Sequence, residues 1–370
     1  MLRGLKLSVL RASQDIGVFR VTRDSAWRGR QLLILCYHGI SMDDEHQWAP
    51  GLYMSQDMFA SRLELLNRGG YTVLPLSEAV QRLYAGTLPR RSVAITFDDG
   101  NFDFYKRAWP VLERAGLPAT VYLTTYYCDR NLPVFPLVIS YLLWKRRGTV
   151  AELPNGLTID TRSAEARRRS QNTVVLHAQD EALSALEKDQ LAEDLADALG
   201  ADYGEIRRTR LLHIMNPSEV RELAGAGVDF QLHTHRHCSP LERRSYASEI
   251  SDNRQRIVDY VGRTPVHFCY PSGVCMPEFG AWLEEEGVVS ATTCEAGMAQ
   301  RTTDRFQLPR LLDHSEMTNL EFEAWLAGIG ALLPRRSIGF QPVDRRGHLV
   351  IPRPPSAAST TLAKPHAAAL

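Results

Sequence analysis

The chain is predicted to fold as an α/β protein built on a parallel sheet or barrel, and three observations carry that reading. Apolar runs of strand length alternate with helix-period segments from about residue 32 to 126 and again from about 216 to 330. Two of those runs end in residues of metal-ligating type, Thr96-Phe97-Asp98-Asp99-Gly100 and His233-Thr234-His235-Arg236-His237, at strand ends where α/β folds keep their chemistry. At 370 residues the chain can bury a large core, as one barrel with additions or as two smaller domains.

The elements follow in order. Leu32 to Cys36 is a strand. Met58, Phe59, Leu63 and Leu66 form a helical stripe, with Ser55 as its cap and Gly69-Gly70 as its end. Tyr71 to Leu74 is a strand, and Ser77 starts a helix through Val80 and Leu83. Val93 to Phe97 is apolar throughout, as a strand covered on both faces must be. Tyr105 to Ala115 is helical and stops at Gly116, and Ala119 to Leu123 is the next strand.

Residues 128–215 break this rhythm. The stretch 146–175 is polar and Arg-rich, and Leu183, Leu186, Leu191, Leu195 and Leu199 recur at helical spacing, so the segment reads as a mostly helical insertion, either a lid or a packing subdomain. Alternation then resumes. Asn216-Pro217 caps and starts a helix. In the strand that follows, Val228, Phe230 and Leu232 alternate with Asp229, Gln231 and His233. Ser239-Pro240 opens a helix with Tyr246, Ile250, Ile257 and Val261 inward; His267 to Tyr270 is a strand, 278–286 a helix and Val288 to Cys294 a strand. Thr318 and Glu321 make a capping box for a helix carrying Phe322, Trp325 and Ile329. The organisation is a lead segment over 1–31, a catalytic unit over 32–334 and a disordered tail over 335–370, rich in Pro, Ala, Ser and Arg.

Lys plus Arg and Asp plus Glu both number 43, so no charge excess points to nucleic acid as a partner. The six cysteines are scattered without a C-x-x-C pair, and several lie in apolar runs, which suits free thiols in a reducing compartment. Arg3, Lys6, Arg11 and Asp15 interrupt the first residues, leaving no apolar core of signal-peptide length, and no stretch approaches a membrane span. A cytoplasmic enzyme is the expectation.

Two adjacent aspartates leave the backbone in different directions, so one can bind a cation while the other faces substrate. His233 and His237 lie four apart, which brings two imidazoles to one side if the turn is helical. Asp99 with these two histidines makes an N₂O set suited to Zn²⁺ and tolerant of Co²⁺ or Mn²⁺. A cation there acidifies a water and polarises a carbonyl, while Asp98 takes the proton.

These two runs, together with Phe268-Cys269-Tyr270-Pro271-Ser272-Gly273, resemble the polysaccharide deacetylase (NodB-homology, carbohydrate esterase) family. The resemblance implies a distorted (β/α) barrel and metal-dependent hydrolysis of the acetamido group of N-acetylated sugars. It carries the base to Asp98, the metal ligands to Asp99, His233 and His237, and a backbone oxyanion donor to Tyr270. Leu35-Cys36-Tyr37-His38-Gly39-Ile40 resembles the early motif of poly-N-acetylglucosamine deacetylases, whose acid comes from the first strand, which implies His38 as general acid. His314, in Leu311-Leu312-Asp313-His314, is the runner-up. Arg310 matches a family arginine that would pair with Asp98 and keep it ionised.

The chain departs from the family in one spacing: 134 positions separate Asp99 from His233. The interrupted N-terminus points to a sugar intermediate inside the cell, nucleotide- or lipid-linked glycans included. Two rivals stand beside the N-deacetylase: an O-acetyl esterase on the same site, and a catalytically silent glycan-binding module.

Overall fold

A computed structural model describes residues 2–333; the expected tail over 335–370 lies outside the described residues. Seven parallel strands close into a barrel: β1 (Gln31–Tyr37), β2 (Ser92–Phe97), β3 (Thr120–Leu123), β4 (Asp229–Leu232), β5 (His267–Cys269), β6 (Ser290–Ala296) and β7 (Leu308–Leu312). Each pairs with the next in chain order, and β7 pairs back with β1 through Leu35–Leu311 and Cys36–Leu312. Short flanking strands add Thr72–Val73 beside β2 and Ala299–Gln300 antiparallel to β1.

Alternation along the strands sorts the two faces. Leu33, Leu35 and Tyr37 of β1, with Ile95 and Phe97 of β2, join the outer layer under the helices. Leu32, Ile34, Ala94, Tyr122, Cys269 and Leu308 cluster instead with the helix Leu76–Ala85. Towards the C-terminal strand ends the buried residues turn polar: Asp98, Gln231, His233 and Arg310 are all at most 5% exposed. On β4 the polar Gln231 and the following His233 are therefore buried like Phe230 and Leu232, because closure of the barrel leaves neither side of a strand in water.

In chain order the helices used below are α1 (Leu2–Asp15), α2 (Val18–Asp24), α3 (Gln56–Arg68), α4 (Phe135–Lys145), α5 (Ala164–Asp180), α6 (Ala185–Leu199), α7 (Tyr203–Thr209), α8 (Pro217–Gly225), α9 (Arg243–Val261) and α10 (Asn319–Leu326). The Ser55, Asn216 and Thr318 caps all form, the last two as full capping boxes. α9 begins at Arg243, later than Ser239-Pro240, because the backbone is still extended at Glu242. Ile329 belongs to a separate short helix, since Gly328 takes a left-handed φ of 93° and breaks the turn after α10.

The insertion between β3 and β4 holds α4, α5, α6 and α7 and a hairpin pairing Val150–Glu152 with Thr158–Asp160. It has its own apolar cluster around Val138, Leu142, Val174, Leu191, Leu195 and Leu199. Leu186 departs from the expected stripe and is 73% exposed, because the Ser184–Glu187 capping box starts the helix at Ala185 and turns its first residues outward. Tyr53 joins the insertion cluster, and Trp48 Nε1 donates to Ser140 Oγ at 3.2 Å. The insertion thus holds the loop that follows β1.

Candidate active site

Asp98 leaves the end of β2 into the barrel and is 2% exposed. A buried carboxylate needs a cation, and Arg310 of β7 supplies it: Nη1 to Oδ1 and Nη2 to Oδ2 are both 2.7 Å. The guanidinium is itself held by Nε donating to Thr293 O at 3.0 Å and Nη1 to Thr96 Oγ1 at 3.3 Å. Burial pushes the Asp98 carboxyl up, but Arg310 outweighs it and holds the group well below the usual carboxylate range. The Cys36 and Cys269 thiols donate to Asp98 Oδ2 at 3.5 and 3.6 Å, and burial raises both, so they stay protonated.

Asp99 has a left-handed φ of 68°, a conformation few non-glycine residues adopt, which turns its carboxylate away from that of its neighbour. Its Oδ1 lies 3.3 Å from His233 Nε2 and 3.2 Å from His237 Nε2. The turn between the two histidines is not helical. Thr234 and His237 have φ of 61° and 55°, and this tight left-handed loop brings the two rings to a centroid distance of 4.9 Å. His235 points elsewhere, its Nδ1 bonded to Thr125 Oγ1 at 2.9 Å.

His233 Nδ1 lies 2.9 Å from the Cys269 carbonyl, which can only accept. Nδ1 therefore carries a proton, and in the neutral ring Nε2 is the nitrogen that turns a lone pair towards Asp99. Asp99 Oδ1 is buried without a hydrogen-bond donor. Ligating atoms of Asp99, His233 and His237 all lie within 4.8 Å of one another, and electron pairs so converged fit a divalent cation.

His38, at the end of β1, puts Nε2 3.8 Å from Asp98 Oδ2, with its side chain 18% exposed. Burial lowers its pKa, with the Asp98 carboxylate pulling the other way. His314 sits in the loop after β7, where its Nδ1 accepts the Glu316 N–H at 3.3 Å. The backbone N–H of Tyr270, the oxyanion donor the resemblance implies, is directed at Thr292 O, 3.3 Å away between β5 and β6.

Sequence reasoning missed Asn253. It is fully buried on α9, accepts the His233 N–H on Oδ1 at 3.0 Å, and donates from Nδ2 to Leu123 O at 2.9 Å and Thr125 Oγ1 at 3.0 Å. One signal was present, an amide three residues after Ile250 and four before Ile257 in an otherwise apolar stripe.

Comparison with known proteins gives the fold and the family. The Staphylococcus aureus poly-beta-1,6-N-acetyl-D-glucosamine N-deacetylase is 35% identical over 72 residues, 20% of this chain and 25% of that protein. The chain covers 35% and 25% of the length of two curated relatives it matches. Among solved structures, the Streptococcus pyogenes deacetylase PplD in complex with acetate gives a TM-score of 0.53 at 18% identity, covering 82% of this chain and 99% of that one. The de-N-acetylase from Aggregatibacter actinomycetemcomitans gives 0.50 at 16% identity, covering 78% and 97%. At such identities the two structures speak for the barrel alone. Residues 85–288, more than half of the chain, match the family model described as polysaccharide deacetylase. A match of that extent settles the kinship, and this chain belongs to the polysaccharide deacetylase family, a family of carbohydrate-deacetylating hydrolases.

Proposed function

We propose that the chain hydrolyses the acetamido group of an N-acetylated glycan, with Asp99, His233 and His237 holding a divalent ion, Zn²⁺ first and Co²⁺ or Mn²⁺ as substitutes. The observation that carries this reading is the convergence of three lone-pair donors beside a buried, ionised Asp98. A cation held there supplies acidification of a water and polarisation of the acetyl carbonyl. Asp98, fixed by Arg310, accepts the water's proton. His38 Nε2 faces that carboxylate and, in its protonated form, gives a proton to the departing amine. The substrate class is an acetylated sugar polymer or intermediate, with lipid- and nucleotide-linked glycans in the cytoplasm as the preferred sources.

The test is acetate release from N-acetylglucosamine oligomers and from O-acetylated sugars, by chelated protein and by protein reloaded with each ion. The reading expects amide cleavage that chelation abolishes and Zn²⁺ restores. Undiminished turnover after chelation, or release from esters only, would overturn it.

A further inference from the structure

We infer that the first two helices dock this protein on an anionic lipid surface. Six of the twelve large apolar side chains exposed among the described residues fall within the first 27 positions: Leu5, Val9, Ile16, Val18, Val21 and Trp27. Leu5, Val9, Ala12 and Ile16 recur at three- and four-residue spacing, one face of α1 carried on past its end by the Ile16 N–H donating to Ala12 O. Leu5, Val9 and Ile16 are 65%, 52% and 78% exposed. The opposite face is the one that packs. Leu10 and Phe19 cluster with Ala324 and Ala327, and Lys6 and Gln14 bond Glu321 and Glu323 of α10 at 2.9 and 2.8 Å. The acidic residues of α10 are thus engaged on the packed side, away from the open stripe.

Charge decides the occupant. Residues 1–30 carry seven Lys and Arg, all but the buried Arg28 at least partly exposed, against Asp15 and Asp24, in a chain whose net charge is zero. Arg11 and Arg20 are exposed on these two helices, with the exposed acidic Asp15 between them in sequence. Residues 334–370 are also basic, six against Asp344, so either that segment or a second copy would bring like charge to like. An anionic headgroup layer supplies the opposite sign and takes up aliphatic side chains, the two needs of an interfacial helix.

The placement suits the enzyme. Arg3 donates to the Glu316 carbonyl in the loop after β7, on the catalytic rim, whereas α2 leads to the start of β1 at the opposite end. A bilayer on the stripe therefore lies along the barrel wall, with the cleft opening beside the headgroups.

The experiment is co-sedimentation of the full-length protein with vesicles of phosphatidylcholine alone and with about a third phosphatidylglycerol. Binding is expected on the mixed vesicles only, weakening as salt is raised. Leu5→Ser/Val9→Ser/Ile16→Ser should weaken it roughly tenfold or more while acetate release from a soluble oligosaccharide is retained, which separates this inference from the catalytic one. Arg11→Gln/Arg20→Gln, which leaves the apolar stripe untouched, should flatten the salt dependence. No binding to anionic vesicles, equal binding to both vesicle types, or a concentration-dependent dimer lost in the serine variant would overturn the inference.

Discussion

Arg310→Met removes the cation that lets Asp98 stay ionised inside the barrel. Both partners are at most 2% exposed and meet through two 2.7 Å contacts, so solvent screens the pair little. With charge centres about 4 Å apart and an effective dielectric near 20, their attraction is about 4 kcal/mol. Breaking a buried pair from one side typically costs about 3–5 kcal/mol, since the abandoned charge keeps its desolvation penalty. Thr293 O and Thr96 Oγ1 lose a donor as well. At about 1.3 °C per kcal/mol for a chain of this size, the midpoint should fall by roughly 5 °C.

Sign and pH window follow from linkage. The Asp98 carboxyl sits lower in the folded than in the unfolded chain, so its contribution is present above the unfolded value near about 3.9 and is lost as pH falls through the folded value. The gap between wild type and variant should therefore narrow below about pH 4. In the variant, burial acts with less opposition and raises the carboxyl, moving the acidic limb of kcat/KM to higher pH. Urea unfolding of both single variants and of Asp98→Asn/Arg310→Met closes the cycle, and the double variant should recover about 2 kcal/mol of the Arg310→Met loss. Additivity within about 0.5 kcal/mol, or an unmoved pH limb, would refute the reasoning.

Asp98→Asn should keep metal affinity, read by equilibrium dialysis, and lose about a hundredfold to ten-thousandfold in acetate release; near-normal turnover would remove Asp98 as base. His38→Ala should damage amide hydrolysis far more than cleavage of an activated acetate ester, because only the amine needs protonation to leave; equal damage to both would take the acid role from His38. Asn253→Ala frees the His233 backbone and two further groups, and should weaken metal binding about tenfold while costing roughly 2 kcal/mol in stability. Unchanged affinity in a destabilised protein would reduce Asn253 to a packing role.

The alternation of apolar runs was enough to place the β/α order, because a strand buried on both faces must be apolar and its connecting helix must carry one apolar stripe. The Ser55, Asn216 and Thr318 caps were legible for the same local reason, since a cap depends on a residue and its next three neighbours. The acidic and histidine runs marked a candidate site by their joint occurrence at strand ends, since either run alone reads equally well as a turn or a polar surface. What the chain could not display locally is closure. Only the pairing of β7 with β1 brings Arg310 onto Asp98 across 212 positions, and turns the polar residues of β4 inward. Only the left-handed φ values at Asp99, Thr234 and His237 make the two histidines meet one carboxylate, where spacing alone could bring them together only through a helical turn. Asn253 became a support for His233 because α9 packs across β4, a contact set by the whole barrel and written in no single segment.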